Sequence, residues 1–101
     1  MNQIIKHINI SSAKVKLKTN KKVVLLDIRD KESFISGHID GALNVSDSNF
    51  REIVNKTSKD REVIVYCYHG NSSQGVAELL VNYGFLDVYS LDGGYEEWKI
   101  S

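Results

Sequence analysis

Residues 63–73 read VIVYCYHGNSS and contain the pattern that decides the fold of this 101-residue chain. The run Val63–Cys67 is apolar and rich in β-branched residues, which is typical of a strand buried on both faces. A short loop with one glycine follows, and the serine pair 72–73 is suited to capping a helix. Apolar residues then recur at helical spacing, which predicts a helix over residues 72–83 that ends at Gly84.

Strand patterns and helix patterns alternate through the rest of the chain. Further strands are predicted at residues 7–10, 23–28, 42–45 and 88–91, and further helices at residues 11–19, 30–37, 50–54 and 95–98. Strands that alternate with helices at this spacing form right-handed βαβ units, in which helices cover both faces of a parallel sheet. The chain is therefore predicted to be one α/β domain over residues 1–101, built on a central, mostly parallel five-stranded sheet.

The composition argues against several classes of protein. About 42% of the residues are hydrophobic, so a chain of this length can bury a core without disulfides or a structural metal. Its 13 basic and 13 acidic residues balance, whereas nucleic-acid binders and polybasic membrane proteins carry a surplus of lysine and arginine. Its apolar runs are too short to span a membrane, and the N-terminal stretch MNQIIKHINI shows no secretory signal pattern. Because there is a single cysteine, no internal disulfide is possible and a reducing cytoplasm is expected.

Of the predicted strands, one ends in a nucleophile, Cys67. Ligands of parallel sheets bind beyond the carboxyl ends of the strands. The helix that follows Cys67 points free N–H groups and the positive end of its dipole into the loop, and both favour the reactive thiolate. Gly70 gives the loop the backbone freedom to surround an anion or a transferred sulfur with such amides. The alternative is an inert core cysteine, but a valine would fill the core equally well and would not require a polar loop.

Two other polar residues are candidates for the same site. Arg29 follows the strand at residues 23–28 and so lies at the same sheet edge as Cys67, where its guanidinium would offset repulsion between a thiolate and an anionic sulfur donor. The competing interpretation is that Arg29 pairs with a neighbouring aspartate or glutamate. His69 is interpreted as shaping the mouth of the loop rather than as transferring protons. The single cysteine and the three histidines show no metal-ligand spacing, so no metal is expected.

Four segments of the chain together resemble the signature segments of the rhodanese family. They are DIRD at residues 27–30, GHIDGALNV at 37–45, CYHGNSS at 67–73 and LDGGYEEW at 91–98. They occur in the order that the family shows and cover nearly the whole chain. The loop is most similar to that of the single-domain GlpE-type thiosulfate sulfurtransferases. The resemblance implies the rhodanese-like α/β fold, with a turn at Asp92–Gly94 close to the active loop.

The resemblance also implies an activity and a site. Members of the family transfer a sulfane sulfur: a loop cysteine takes it from thiosulfate as a persulfide, sulfite leaves, and a second nucleophile removes the sulfur. In this chain, Cys67 would carry the persulfide and Arg29 would lie near the donor. The acceptor would be cyanide in vitro and a thiol, such as thioredoxin, in the cell, with no cofactor, nucleic acid or membrane involved. The substrate-binding loop would comprise Tyr68, His69, Gly70, Asn71 and Ser72.

One departure from the family pattern and two alternative functions accompany this interpretation. Gln74 stands where GlpE-type sequences carry a lysine, and the missing charge weakens thiosulfate binding or indicates another donor. A cysteine-dependent phosphatase or arsenate reductase would use a similar loop. Such enzymes need an arginine in a loop one residue longer, and no lysine or arginine follows Cys67 until Lys99. The other alternative is a non-catalytic or partner-dedicated module that relays a persulfide or senses redox state through Cys67.

Overall fold

The computed structural model describes residues 5–101, over which strands and helices alternate strictly. This alternation confirms the α/β fold class. In chain order the elements are β1 (Lys6–Ile8), α1 (Ile10–Thr19), β2 (Val24–Asp27), α2 (Lys31–Ser36), β3 (Leu43–Asn44), α3 (Phe50–Lys56), β4 (Glu62–Tyr66), α4 (Ser72–Asn82), β5 (Asp87–Leu91) and α5 (Gly94–Trp98).

The five strands form one sheet in the order β1-β5-β4-β2-β3. Each neighbouring pair is parallel, so the predicted five-stranded parallel sheet is confirmed. The central strand is β4, with β2 on one side and β5 on the other. Because all strands run the same way, their carboxyl ends share one edge of the sheet, and the residues that follow β2, β4 and β5 meet there.

Helices cover both faces of the sheet, as the sequence predicts. Val63 and Val65 of β4 lie in a core shared with α3 and α4. Ile64 and Tyr66 point to the opposite face, into a core packed by α1, α2 and α5. Successive side chains of a strand point to opposite faces, so both faces of a strand between two helical layers favour apolar residues. This is why β4 reads as a continuous apolar run.

The ends of the helices agree with the sequence patterns except at the starts of α1 and α4. Ile10, predicted as the end of the first strand, begins α1, because the Asn9 side chain accepts from the Ser12 amide and caps the helix there. The Asp30 side chain accepts from the amide of Ser33 and caps α2, as predicted. At the end of α4, Gly84 has a positive φ of 102°, which confirms the predicted stop. The prediction that a serine pair caps α4 is wrong: Asn71 is the cap residue and Ser73 is fully buried inside the fold. Within residues 5–101, none of the helices has the length and apolar composition that crossing a bilayer requires.

We expect the central strand to carry much of the stability, and a matched pair of substitutions tests this. Ile64 is fully buried, so Ile64→Ala leaves a cavity between the two helical layers and lowers the free energy of unfolding by about 2–5 kcal/mol. Ile35 is 69% exposed, so Ile35→Ala changes this free energy by only about 0.5 kcal/mol. Urea denaturation measures both variants, and equal effects would contradict the assignment of Ile64 to the core.

Candidate active site

Cys67 is the first residue after β4 and lies at the carboxyl edge of the sheet. The loop of residues 67–71 connects it directly to α4, so the strand, loop and helix follow one another as the sequence predicts. The residue is only 5% exposed, and its sulfur points into the hollow of the loop, where backbone amides converge.

Three hydrogen-bonding groups surround the sulfur. The amides of Gly70 and Ser73 donate to Cys67 Sγ at 3.2 Å and 3.3 Å. The hydroxyl of Ser73 lies 3.4 Å from the same sulfur. Ser73 therefore contacts the sulfur of Cys67 through both its backbone amide and its side-chain hydroxyl. Because no side-chain cation takes part in this set, the partial charges of amide and hydroxyl dipoles are what favours an anionic sulfur here.

These contacts set the acidity of the thiol. Burial acts to raise the pKa of Cys67 because a buried charge loses its hydration. The Ser73 hydroxyl and the amides of Ser73, Gly70 and His69 outweigh this effect, and the pKa of Cys67 lies below its ordinary value. The thiolate, which is the nucleophilic form, is therefore more populated at neutral pH than in a free cysteine.

The loop is held from behind by the start of α5. The amide of Tyr95 donates to the carbonyl of Cys67 at 2.8 Å, and the amide of Glu96 donates to the carbonyl of Tyr68 at 3.0 Å. Gly94 makes this approach possible, because its φ is positive and a Cβ there would overlap the carbonyl groups of Tyr68 and Cys67. The predicted turn at Asp92–Gly94 thus lies directly against the active loop.

Gly70 allows the loop to pack closely against the segment that joins β5 to α5. Its φ of 97° lies in the left-handed region, and a Cβ would come within 3.1 Å of the Leu91 carbonyl and the Gly93 amide. Asn71 has an ordinary negative φ of −90°, so the loop needs only one residue with left-handed backbone.

Arg29 does not extend into this hollow. Its side chain is only 3% exposed, and the guanidinium pairs with Asp27 through Nη2 at 2.7 Å and Nε at 3.2 Å. Nη2 also donates to the Gly37 carbonyl at 2.7 Å. It stacks 4.2 Å from the centre of the Tyr95 ring. The placement is that of the competing interpretation, an ion pair with a neighbouring aspartate, but in the interior rather than on the surface. The hydrogen bonds of Nε and Nη2 go to Asp27 and Gly37, and the contact of Arg29 with the donor stays a prediction.

A family comparison agrees with this architecture. The model of the rhodanese-like domain matches residues 11–101. The chain belongs to the rhodanese-like domain family. It is 45% identical over 93 residues to the thiosulfate sulfurtransferase GlpE of Shewanella oneidensis, covering 92% of this chain and 91% of that protein. It is 51% identical over 76 residues to the protein of the same name from Pseudomonas fluorescens, covering 75% of this chain and 70% of that one. The predicted family and the predicted sulfurtransferase class are thereby confirmed.

Solved structures extend the likeness to three dimensions. A rhodanese-like domain protein from Staphylococcus aureus superposes with a TM-score of 0.81 at 28% identity, covering 93% of this chain and 91% of that one. The rhodanese fold of this chain is therefore shared with proteins from which its sequence differs at most positions.

The other loop residues of this rhodanese domain occupy distinct positions. Within residues 5–101, hydrogen bonds to Sγ come from Gly70 and Ser73. The contacts predicted for Tyr68, Asn71 and Ser72 concern the second sulfur atom that a persulfide would carry, and they stay predictions. His69 is exposed, and its role in shaping the mouth of the loop stays a prediction. No group of three or more His, Cys, Asp or Glu side chains able to hold a metal ion lies in the part of the chain that the structure describes.

Tyr68 ties the loop to the start of α2. Its hydroxyl donates to Asp30 and lies 2.6 Å from the Ser33 hydroxyl. The hydrogen bond from Tyr68, together with those from Ser33, lowers the pKa of Asp30 to about 2. The side chain of Tyr68 therefore anchors the rhodanese loop at its outer side, while its carbonyl is held by α5.

Gln74 has a structural contact that the sequence does not reveal. Its side-chain amide donates to the Gly70 carbonyl at 2.9 Å and so closes the loop onto the first turn of α4. A lysine ammonium in this place would carry a charge, whereas glutamine supplies a neutral donor.

Sequence reasoning missed Ser73 as a functional residue because it interpreted the serine pair as a helix cap. A signal was present, since Ser73 precedes Ala77 by four residues and Leu80 by seven. This spacing places Ser73 on the apolar face of α4, where a buried hydroxyl requires a partner.

The Asp27–Arg29 pair provides a test that separates a structural arginine from a substrate-binding one. Arg29→Ala leaves the Asp27 carboxylate buried without its partner, so we expect a loss of about 3–5 kcal/mol in the free energy of unfolding. The control Lys56→Ala removes an exposed partner of Glu52 and costs about 0.5 kcal/mol. Denaturation is measured together with the KM for thiosulfate. A large rise in KM with little loss of stability would assign Arg29 to the donor site and contradict a purely structural role.

The acidity of Cys67 provides a second test. Because the chain has one cysteine, iodoacetamide labels a single thiol, and its rate reports the thiolate fraction. We expect the rate to rise with pH through a midpoint below that of a free cysteine labelled under the same conditions. Ser73→Ala removes a donor to the sulfur and raises this midpoint. A midpoint at or above that of a free cysteine in the unmodified protein would contradict the assigned role of the loop amides.

Proposed function

We propose that this chain is a thiosulfate sulfurtransferase in which Cys67 carries the transferred sulfur as a persulfide. The observation that carries the proposal is the sulfur of Cys67 at the carboxyl edge of the sheet, surrounded by the amides of Gly70 and Ser73. The names of the relatives, thiosulfate sulfurtransferases, supply the donor.

In the first step the Cys67 thiolate attacks the outer sulfur of thiosulfate. A bond forms between Sγ and that sulfur, the sulfur–sulfur bond of thiosulfate breaks, and sulfite leaves with its electron pair. The negative charge of the thiolate passes to the terminal sulfur of the persulfide, so that charge is conserved. Amides of the loop, including those of residues 68–72, would then face an anion one atom further from the backbone.

In the second step an acceptor nucleophile attacks the terminal sulfur, and the bond between the two sulfurs breaks. Sγ leaves as a thiolate, which the Ser73 hydroxyl and the surrounding amides stabilise. Cyanide would give thiocyanate in an assay. In the cell we propose a thiol acceptor such as thioredoxin and a cytoplasmic location, which fits a chain with one reduced cysteine.

The same geometry disfavours the phosphatase alternative. Such chemistry uses an arginine in the loop to bind the phosphoryl oxygens through two N–H groups. In this chain the loop runs from Cys67 to Asn71 without a basic residue other than His69, and the nearby Arg29 is engaged by Asp27. A persulfide carries a single charge, which amide dipoles can hold without a guanidinium.

The experiment that tests the proposal is the intact mass of the protein after incubation with thiosulfate. We expect a gain of one sulfur atom, which cyanide then removes as thiocyanate. Cys67→Ser is expected to gain nothing while its circular dichroism stays unchanged, because the substitution replaces one buried atom. Sulfur uptake by Cys67→Ser would contradict the covalent mechanism.

The comparison of acceptors separates a sulfurtransferase from a relay. A stable persulfide that cyanide does not remove at an appreciable rate would favour the alternative of a module dedicated to one protein partner. An unchanged mass in the unmodified protein would overturn thiosulfate as the donor.

A further inference from the structure

A second buried serine lies behind Ser73. Ser90 is in β5, opposite Val65 of β4, and its hydroxyl lies 2.7 Å from that of Ser73. Both serines are fully buried. Ser90 alternates with Tyr89 and Leu91, so it shares with Val88 the face of the sheet that packs against α4. A hydroxyl in such apolar surroundings costs free energy unless it is hydrogen-bonded.

The number of hydroxyl protons indicates which of the two serines donates to the other. Two serine hydroxyls have two protons to donate, and within residues 5–101 the hydrogen-bond partner of the Ser90 hydroxyl is Ser73. With an anionic Sγ, Ser90 donates to Ser73 and Ser73 donates to Cys67, so each proton has an acceptor. With a neutral thiol that donates to Ser73, the chain reverses and the proton of Ser90 has no acceptor there. An anionic sulfur is the stronger acceptor for the Ser73 proton, so ionisation of Cys67 favours the direction from Ser90 through Ser73 to the sulfur.

We propose that Ser90 is a positioning residue for the reaction at Cys67, because it donates to Ser73 and so orients the Ser73 hydroxyl proton towards the sulfur. Ser90 does not touch the sulfur itself. A polarised chain of hydrogen bonds strengthens its last member, so the effect of Ser90 reaches Sγ through Ser73.

The hydrogen bond from Ser73 matters most when Sγ is a thiolate. Sγ is a thiolate before it attacks the donor and again when it leaves the persulfide. Stabilising that anion makes Sγ a better leaving group, and sulfur transfer to the acceptor is the step that gains. This consequence rests on the proposed function, whereas the orientation of Ser73 does not.

Charged groups on the neighbouring elements act equally on Cys67 in the unmodified protein and in the Ser90 variants. His69 lies in the loop itself, Arg29 follows β2, and Asp30 caps α2. Asp92 lies between β5 and α5, and Glu96 is in the first turn of α5. None of them is hydrogen-bonded to Ser90. They remain in place when Ser90 is changed, so a shift in the titration of Cys67 is assigned to the hydroxyl chain.

The experiment measures iodoacetamide labelling of Cys67 against pH in five variants beside the unmodified protein. In Ser90→Ala we expect the midpoint to rise by roughly 0.3 to 1 pH unit. Ser90→Thr retains a hydroxyl and is expected to restore the midpoint, even where its extra methyl group lowers the thermal stability. The double variant Ser73→Ala with Ser90→Ala is expected to match Ser73→Ala alone. Ser11→Ala changes an exposed serine of α1 and serves as the control.

Each outcome bears on the proposal. An unchanged midpoint in Ser90→Ala overturns it, and so does a double variant whose shift exceeds that of Ser73→Ala. A shift that Ser90→Thr does not reverse identifies a packing effect and also overturns it. Labelling needs neither thiosulfate nor an acceptor, so its result stands even where sulfur transfer fails. Where transfer occurs, release of sulfur from the persulfide of Ser90→Ala to cyanide is expected to slow by roughly two- to threefold.

Discussion

Two hydrogen bonds from the start of α5 to the carbonyls of Cys67 and Tyr68 are the constraint on which the rest of the site depends. A trans peptide points its carbonyl and its N–H in opposite directions. When α5 holds these carbonyls, the N–H groups of the same two peptide units point away from α5. The amide of His69, which follows the Tyr68 carbonyl, is one of the groups that lower the pKa of Cys67. A backbone contact between two distant segments thus decides the chemistry of the thiol.

The dipoles of amides and a hydroxyl, rather than a cation, stabilise the buried thiolate of Cys67. Cys67 lies at the end of the central strand, where burial by itself opposes ionisation. Amides and hydroxyls fixed by the fold require little reorganisation when the charge appears, and they leave room for a second sulfur. Arg29 joins the end of β2 to the Gly37 carbonyl and to the ring of Tyr95. A buried ion pair of this kind specifies which segments meet at the edge of the sheet.

Much of the architecture could be predicted because its determinants are local. The apolar run of β4, the cap at Asp30 and the stop at Gly84 each act within a few residues, and each appears in the structure where the pattern places it. The roles of Arg29 and Ser73 could not be predicted in the same way. A guanidinium beside three acidic residues has several partners in sequence, and only the packed fold shows that Asp27 and Gly37 surround it.

By itself the sequence determined the alternation of strands and helices, the position of Cys67 after the central strand, and the family to which the chain belongs. Periodicity and short motifs carry this information, since they depend on neighbours along the chain. Tertiary structure decided what surrounds the sulfur. Ser73 and Ser90 are 17 residues apart in sequence. Gly94 of α5 lies against the carbonyl of Tyr68, which belongs to the loop after β4. Such contacts arise only when β5 and α5 pack against β4 and α4, because hydrogen bonds between distant segments depend on distance in space and not on spacing in sequence.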